Sequence, residues 1–160
     1  MSKGIALITG ASSGIGEALA REFARHDYDL IITARRADLL EALAQELSSQ
    51  VLVDVVVSDL ATATGPAALI AAVAALGKHV DILVNNAGIA HSGDFHSSST
   101  VQLDQLLGLN ITALAHLTHS FSKPMVQRGA GKILNVASVA AFQPVPSMAL
   151  YAASKAFVLS

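Results

Sequence analysis

The chain has 160 residues, with 10 Lys and Arg against 12 Asp and Glu and a formal net charge of −2. That length fits one domain, 1–160, large enough to need no disulfide or metal staple. At 52% hydrophobic and 14% charged residues, general disorder is excluded. The near-neutral charge leaves no basic footprint for nucleic acid. The absence of cysteine removes disulfides, thiolate metal ligands and a cysteine nucleophile. The longest apolar run, 67–76, is about half a membrane span, and the first residues lack the pattern of a signal peptide. A soluble cytoplasmic protein is the expectation.

Residues 5–8 form a short, wholly apolar run, as a buried parallel strand requires. A Gly/Ser turn leads into a helix over 14–26, with Ile15, Leu19 and Phe23 four residues apart. A second strand, 30–33, precedes a helix over 37–47 with Leu39, Leu40, Leu43 and Leu47 on one stripe. A third strand over 51–57 and a helix over 66–76, with Pro66 in its first turn, come next. The fourth strand spans 80–84 and the polar loop 89–98 follows. Thr100 then caps a long helix to about Met125, with a kink or break expected at Pro124. A fifth strand covers 132–136, and a last helix begins at 149. Strands alternating with helices predict a doubly wound parallel α/β sheet with right-handed crossovers. Ligands of such sheets bind beyond the carboxyl ends of the strands.

The chemistry-bearing residues fall at those ends. Thr9 to Gly16 reads G-x-x-x-G-x-G, from Gly10 through Ser12, Ser13, Gly14 and Ile15 to Gly16. Gly10 suits a sharp exit from the strand, Gly14 a close approach to pyrophosphate and Gly16 tight packing of helix on sheet. Exposed amides and the helix N-terminus would hold phosphate. The second strand ends in Ala34, which offers no acceptor to a ribose 2′-hydroxyl. Arg35 or Arg36 can instead pair with a 2′-phosphate. Tyr151 and Lys155 share one helix face, where the ammonium favours the phenolate and suits the phenol to proton transfer. Ser138 adds a hydroxyl after the fifth strand, and Asn85 to Gly88 end the fourth. His116 and His119 lie three apart, but no carboxylate or cysteine completes a metal set nearby, so no metal is expected. His91 and His96 are read as solvated loop residues.

These motifs, in this order, resemble the classical short-chain dehydrogenase/reductase family: Thr9 to Gly16, Asp59-Leu60, Asn85 to Gly88, Asn110, Ser138, and Tyr151 with Lys155. The resemblance covers nearly all 160 residues. It implies a Rossmann fold with strand order 3-2-1-4-5 and a bound nicotinamide cofactor, with Arg35 at the position that selects NADP(H) over NAD(H). It further implies Tyr151 as general acid/base, Ser138 as donor to the substrate oxygen, and Lys155 on the nicotinamide ribose. Asn110 would hold a water linking Lys155 to a proton relay. Asp59 and Leu60 would meet adenine, and Asn86, Ala87 and Gly88 the adenosine and ribose side. The implied reaction interconverts a small-molecule carbonyl and a secondary alcohol, in a homodimer or homotetramer.

The G-x-x-x-G-x-G spacing favours a reductase over an epimerase or dehydratase. The competing reading is a dinucleotide-binding protein without catalysis, which would have no use for Ser138. Family members run to roughly 250 residues, a single-domain length for α/β proteins. They continue past the tyrosine helix into two more strands, a Pro-Gly turn and a lid. Residues 1–160 alone are therefore expected to keep the adenosine half of the site but not to turn over substrate, with an exposed edge on the fifth strand.

Overall fold

The computed structural model describes residues 2–160. The strands are β1 (Ile5–Thr9), β2 (Asp29–Ala34), β3 (Val53–Val57), β4 (Ile82–Asn85) and β5 (Lys132–Asn135). All pair in parallel, in the order β3-β2-β1-β4-β5. The helices are α1 (Gly14–Arg25), α2 (Ala37–Leu47), α3 (Gly65–Ala75), α4 (Thr100–Leu107), α5 (Leu114–Gln127) and α6 (Ala149–Leu159). This is the Rossmann-type doubly wound sheet expected from the alternation. Strand order reverses between β1 and β4, and that is where a ligand crevice opens.

Successive side chains along a strand point to opposite faces, and two cores result. Ala6, Ile8, Leu30, Ile32, Ile82 and Val84 pack on one face against α1 and α2, through Ala20, Ala24, Leu40, Leu43 and Leu47. Leu7, Ile31 and Leu83 pack on the other against α3 and α5, through Leu69, Val73, Leu117, Phe121 and Met125. Both faces of the central strands are covered, which is why the middles of these strands are apolar. The outer strand β5 pairs only with β4, and Lys132, Leu134 and Asn135 are exposed.

Several local expectations change. Of the stripe Ile15-Leu19-Phe23, Leu19 and Phe23 pack against the core only partly buried, and the fully buried face of α1 is another. That face is Gly16, Ala20 and Ala24, and Ile15 is 61% exposed. Small residues let the helix lie close to the sheet, and the larger side chains border it. The long helix is capped by Ser99, not Thr100. The Ser99 hydroxyl accepts from the Gln102 N–H, and the Gln102 side chain accepts from the Ser99 N–H, a reciprocal capping box. That helix is also not uniform, since a π-type stretch, Gly108–Ala113, joins α4 to α5. Pro124 does not end α5, which runs on to Gln127. Lying in the last turn, the exposed Pro124 leaves only the Ser120 carbonyl without its helical N–H donor, and the three residues after it complete the helix.

Ile31 is fully buried between β1 and β3. Ile31→Ala should cost about 2–5 kcal/mol and Ile31→Val about 0.5–1.5 kcal/mol in urea unfolding.

Candidate functional site

The turn after β1 is built on backbone hydrogen bonds to β2 and on side-chain bonds to the end of β4. The N–H groups of Gly10 and Ala11 donate to the Thr33 carbonyl, at 2.8 and 3.2 Å. Gly10 and Gly14 both have positive φ, +69° and +60°, which glycine adopts without steric penalty. The Thr9 hydroxyl donates to the Val84 carbonyl (3.1 Å) and accepts from the N–H groups of Asn86 and Ala87 (both 3.0 Å). The Asn86 amide donates back to the carbonyls of Thr9 (2.9 Å) and Gly10 (3.3 Å). A Cβ on Gly16 would collide with the Gly10 carbonyl and the Asn86 amide. The close approach at Gly16 is thus to this turn, more than to the sheet.

The two arginines after β2 differ. Arg36 reaches back to the turn, donating to the hydroxyls of Ser12 (3.0 Å) and Ser13 (2.7 Å). Arg35 is exposed and makes no ion pair among the described residues. After β3, the Asp59 carboxylate accepts from the Ala61 N–H (3.0 Å), bracing the loop, while Leu60 is buried in the α3/α5 core.

Across the cleft, Lys155 is 6% exposed. Its ammonium donates to the Val136 carbonyl (2.8 Å) and lies 5.9 Å from the Tyr151 ring centroid. Burial pushes this ammonium below the ordinary lysine range, because desolvation penalises the charged form. Asn110 sits in the π-type stretch and is buried. Its amide group donates to the Ile89 carbonyl (2.9 Å) and the Ser154 hydroxyl (3.0 Å), and its oxygen accepts from the Ile89 N–H (2.9 Å). Both of its side-chain N–H groups are therefore occupied. A water relay toward Lys155 would have to use the Asn110 backbone carbonyl or the second lone pair of Oδ1. A Cβ on Gly88 would lie 3.3 Å from Oδ1 of Asn110 and 3.5 Å from Nζ of Lys155, a tight contact that would crowd this corner. Ser138 accepts from the Ala140 N–H (3.2 Å) and caps the 3-10 turn Val139–Ala141, leaving its own hydrogen to donate.

These elements enclose a cleft of about 420 Å³ at the carboxyl edge of the sheet, within the size range of small-molecule sites. Of the residues singled out in the sequence, Gly10, Ser12, Ser13, Ile15, Arg35, Arg36, Asp59, Leu60, Asn86, Ala87, Gly88, Tyr151 and Lys155 line it. Gly14, Gly16, Asn110 and Ser138 do not. Gly16 and Asn110 stand behind the wall, and Ser138 lies one residue beyond Ala137, where the lining ends. Ser58, Ile89, Leu109 and Val136 also line the cleft and carried no motif, although each follows a strand or faces one that does. Thr9 and Ser154 are further buried supports that residue type alone did not single out. His116 and His119 are exposed on α5, and His96 is exposed. His91 is not simply solvated, because its Nε2 is buried without a protein partner. Among the described residues, no helix is long and apolar enough to cross a membrane.

A doubly wound sheet with a glycine turn and cleft of this kind defines a dinucleotide-binding α/β protein. The profile of the short chain dehydrogenase family matches residues 4–160. The chain belongs to that family. It is 38% identical over 164 residues to sulfoacetaldehyde reductase 2 of Chromohalobacter salexigens, covering 96% of this chain and 62% of that protein. Its fold superposes on the bulky-bulky ketone specific alcohol dehydrogenase of Comamonas testosteroni with a TM-score of 0.93 at 37% identity, covering 99% of this chain and 64% of that one. It superposes on a short-chain dehydrogenase of Sphingobium yanoikuyae in complex with NADPH with a TM-score of 0.92 at 40% identity, covering 98% and 61%. The chain thus spans a little over three fifths of the length of these relatives.

The Thr9 hydroxyl can be tested by Thr9→Val, which keeps the shape and leaves two N–H groups of the β4 turn without their acceptor. Chemical denaturation should show a loss of about 1–3 kcal/mol, whereas Thr9→Ser should stay near the parent.

Proposed function

We propose that the protein is an NADP(H)-dependent oxidoreductase that interconverts a carbonyl and a secondary alcohol. The observation that carries this reading is that one cleft joins the glycine turn and Arg35 at one end to Tyr151 and Lys155 at the other. The residues fit a dinucleotide. The amides at the head of α1 would receive the pyrophosphate, Asp59 and Leu60 the adenine, Asn86 to Gly88 the adenosine and ribose side, and Lys155 the nicotinamide ribose. When bound, the nicotinamide supplies or takes the hydride.

The chain's own groups manage the proton and the substrate. Tyr151 gives its phenolic proton to the carbonyl oxygen as that oxygen gains negative charge, and takes it back in the reverse direction. The Lys155 charge stabilises the phenolate left behind, and the Val136 carbonyl fixes the ammonium in place. Ser138 donates its free hydrogen to the substrate oxygen. Asn110 holds the Ile89 backbone and α6 together, and its water, if routed through the backbone carbonyl, returns protons to Lys155.

Arg35 favours NADP(H), because its guanidinium stands unpaired beside the cleft while Ala34 offers no acceptor to a 2′-hydroxyl. The NADPH bound by the Sphingobium relative supports the same choice. Exposed Val101, Leu107 and Val126 on α4 and α5 support self-association as a homodimer or homotetramer. The chemistry is tested in the purified protein. The alternative, a dinucleotide-binding protein without catalysis, predicts cofactor binding there too, but no reduction of any carbonyl.

Fluorescence titration should give NADPH an affinity about 10- to 150-fold above NADH, and Arg35→Ala should erase most of the difference. Equal affinities in the parent protein would refute the cofactor assignment.

Tyr151→Phe should leave NADPH binding intact while carbonyl reduction falls by about two to four orders of magnitude. A normal rate in that variant would remove Tyr151 from the mechanism.

A further inference from the structure

A second, small cavity of about 30 Å³ lies where the loop after β4 meets the segment leading into α6. No residue lines both this cavity and the large cleft, yet the two are adjacent in the chain at two places. Ala90 lines the cleft and His91 the small cavity. Tyr151 lines the cleft and Leu150 the small cavity. The small cavity therefore backs the wall that carries Tyr151.

Four features of that wall bear on how Tyr151 is held. Tyr151 is in the first turn of α6, and the residue before that helix, Met148, supplies no side-chain cap. The orientation of the turn is then set by the segment that enters it. That segment is tied to the β4 loop by one backbone bond, from the Gly93 N–H to the Ser147 carbonyl (2.8 Å). Ser147 has φ +60°, a left-handed conformation that costs a non-glycine residue and persists only where its surroundings impose it. His91 presents a buried Nε2 without a protein partner, and a buried imidazole nitrogen is expected to have one.

A void needs about 10–15 Å³ of this kind of volume, and several polar partners, to hold a water. The cavity exceeds that volume and is lined by Ser98, Gln102 and Ser147 as well as His91. We propose that His91 is a positioning residue for Tyr151: its Nε2 binds one water in this cavity, and that water bridges to the Ser147 segment and fixes the first turn of α6. The proposal rests on the assignment of Tyr151 as the proton donor, although the water and its effect on the segment are independent of that assignment.

The test uses the purified protein. A high-resolution crystal structure should show a water within hydrogen-bond distance of His91 Nε2. Hydrogen exchange read by mass spectrometry should be roughly tenfold faster for residues 147–152 in His91→Ala than in the parent. His91→Gln, whose side-chain amide reaches the position of Nε2, should restore the parent rate, and His91→Asn, which is shorter, should not. In the reduction assay, His91→Ala should lower kcat roughly tenfold with KM and NADPH affinity nearly unchanged, and His91→Gln should recover most of the loss. A dry cavity, unchanged exchange in His91→Ala, or a Gln variant that behaves as the Ala variant would overturn the proposal. If the parent protein reduced no carbonyl, the assignment of function would fall, while the water and the exchange rates would still decide the role of His91.

Discussion

The hydroxyl of Thr9 joins the two strands on which the site depends. The β1–β4 ladder runs from Ala6 opposite Ile82 to Ile8 opposite Val84, and beyond it the chains turn apart. Thr9 bridges that divergence with all the hydrogen-bonding capacity of a hydroxyl, one hydrogen given to Val84 and two lone pairs taken by Asn86 and Ala87. Asn86 answers by holding the carbonyls of Thr9 and Gly10. Buried backbone groups at the ends of parallel strands must be paired somewhere, and here the pairing shapes both walls of the crevice at once.

From that point the site continues as a chain of hydrogen bonds into the far side of the fold. Ile89, three residues past Asn86, is gripped at both its N–H and its carbonyl by Asn110. Asn110 also holds Ser154, whose hydroxyl donates to the Tyr151 carbonyl (2.7 Å). The π-type stretch from Gly108 to Ala113 brings the Asn110 side chain into this contact from within a long helical segment, and such local widening often accompanies function. Two elements far apart in sequence, the β1 turn and α6, are thereby set in one frame.

Much of this was legible in the sequence. Short apolar runs at the centres of the strands announce burial on both faces, and glycines just past the first of them announce a tight turn into α1. The order of motifs then placed Asn86, Tyr151 and Lys155 on one edge, and they do line one cleft. What was not legible depends on neighbours that a one-dimensional pattern does not contain. Of the large side chains of α1 only Leu19 and Phe23 reach the core, from its border, because the face nearest the sheet and the β1 turn admits only Gly16, Ala20 and Ala24. Thr100 and Ser99 are equally good caps by residue type, and only the reciprocal bond with Gln102 chooses between them. Asn110 was picked out by the order of the motifs, but its attachment to Ile89 and Ser154 exists only after folding. His91 reads as a polar loop residue until the segment before α6 closes over it.

The central position of β1 also bears on the order in which the protein is made. Its neighbour β2 follows within about 25 residues, so β1, β2 and β3 can pair early, but the Thr9–Val84 bond joins residues 75 apart. At roughly 5–20 residues per second of synthesis, the nascent chain spends several seconds with one edge of β1 bare and the glycine turn unfinished. The apolar β1 is then the strand in need of protection. The emergence of β4 from the ribosome therefore marks the moment at which that edge can be covered and the glycine turn completed.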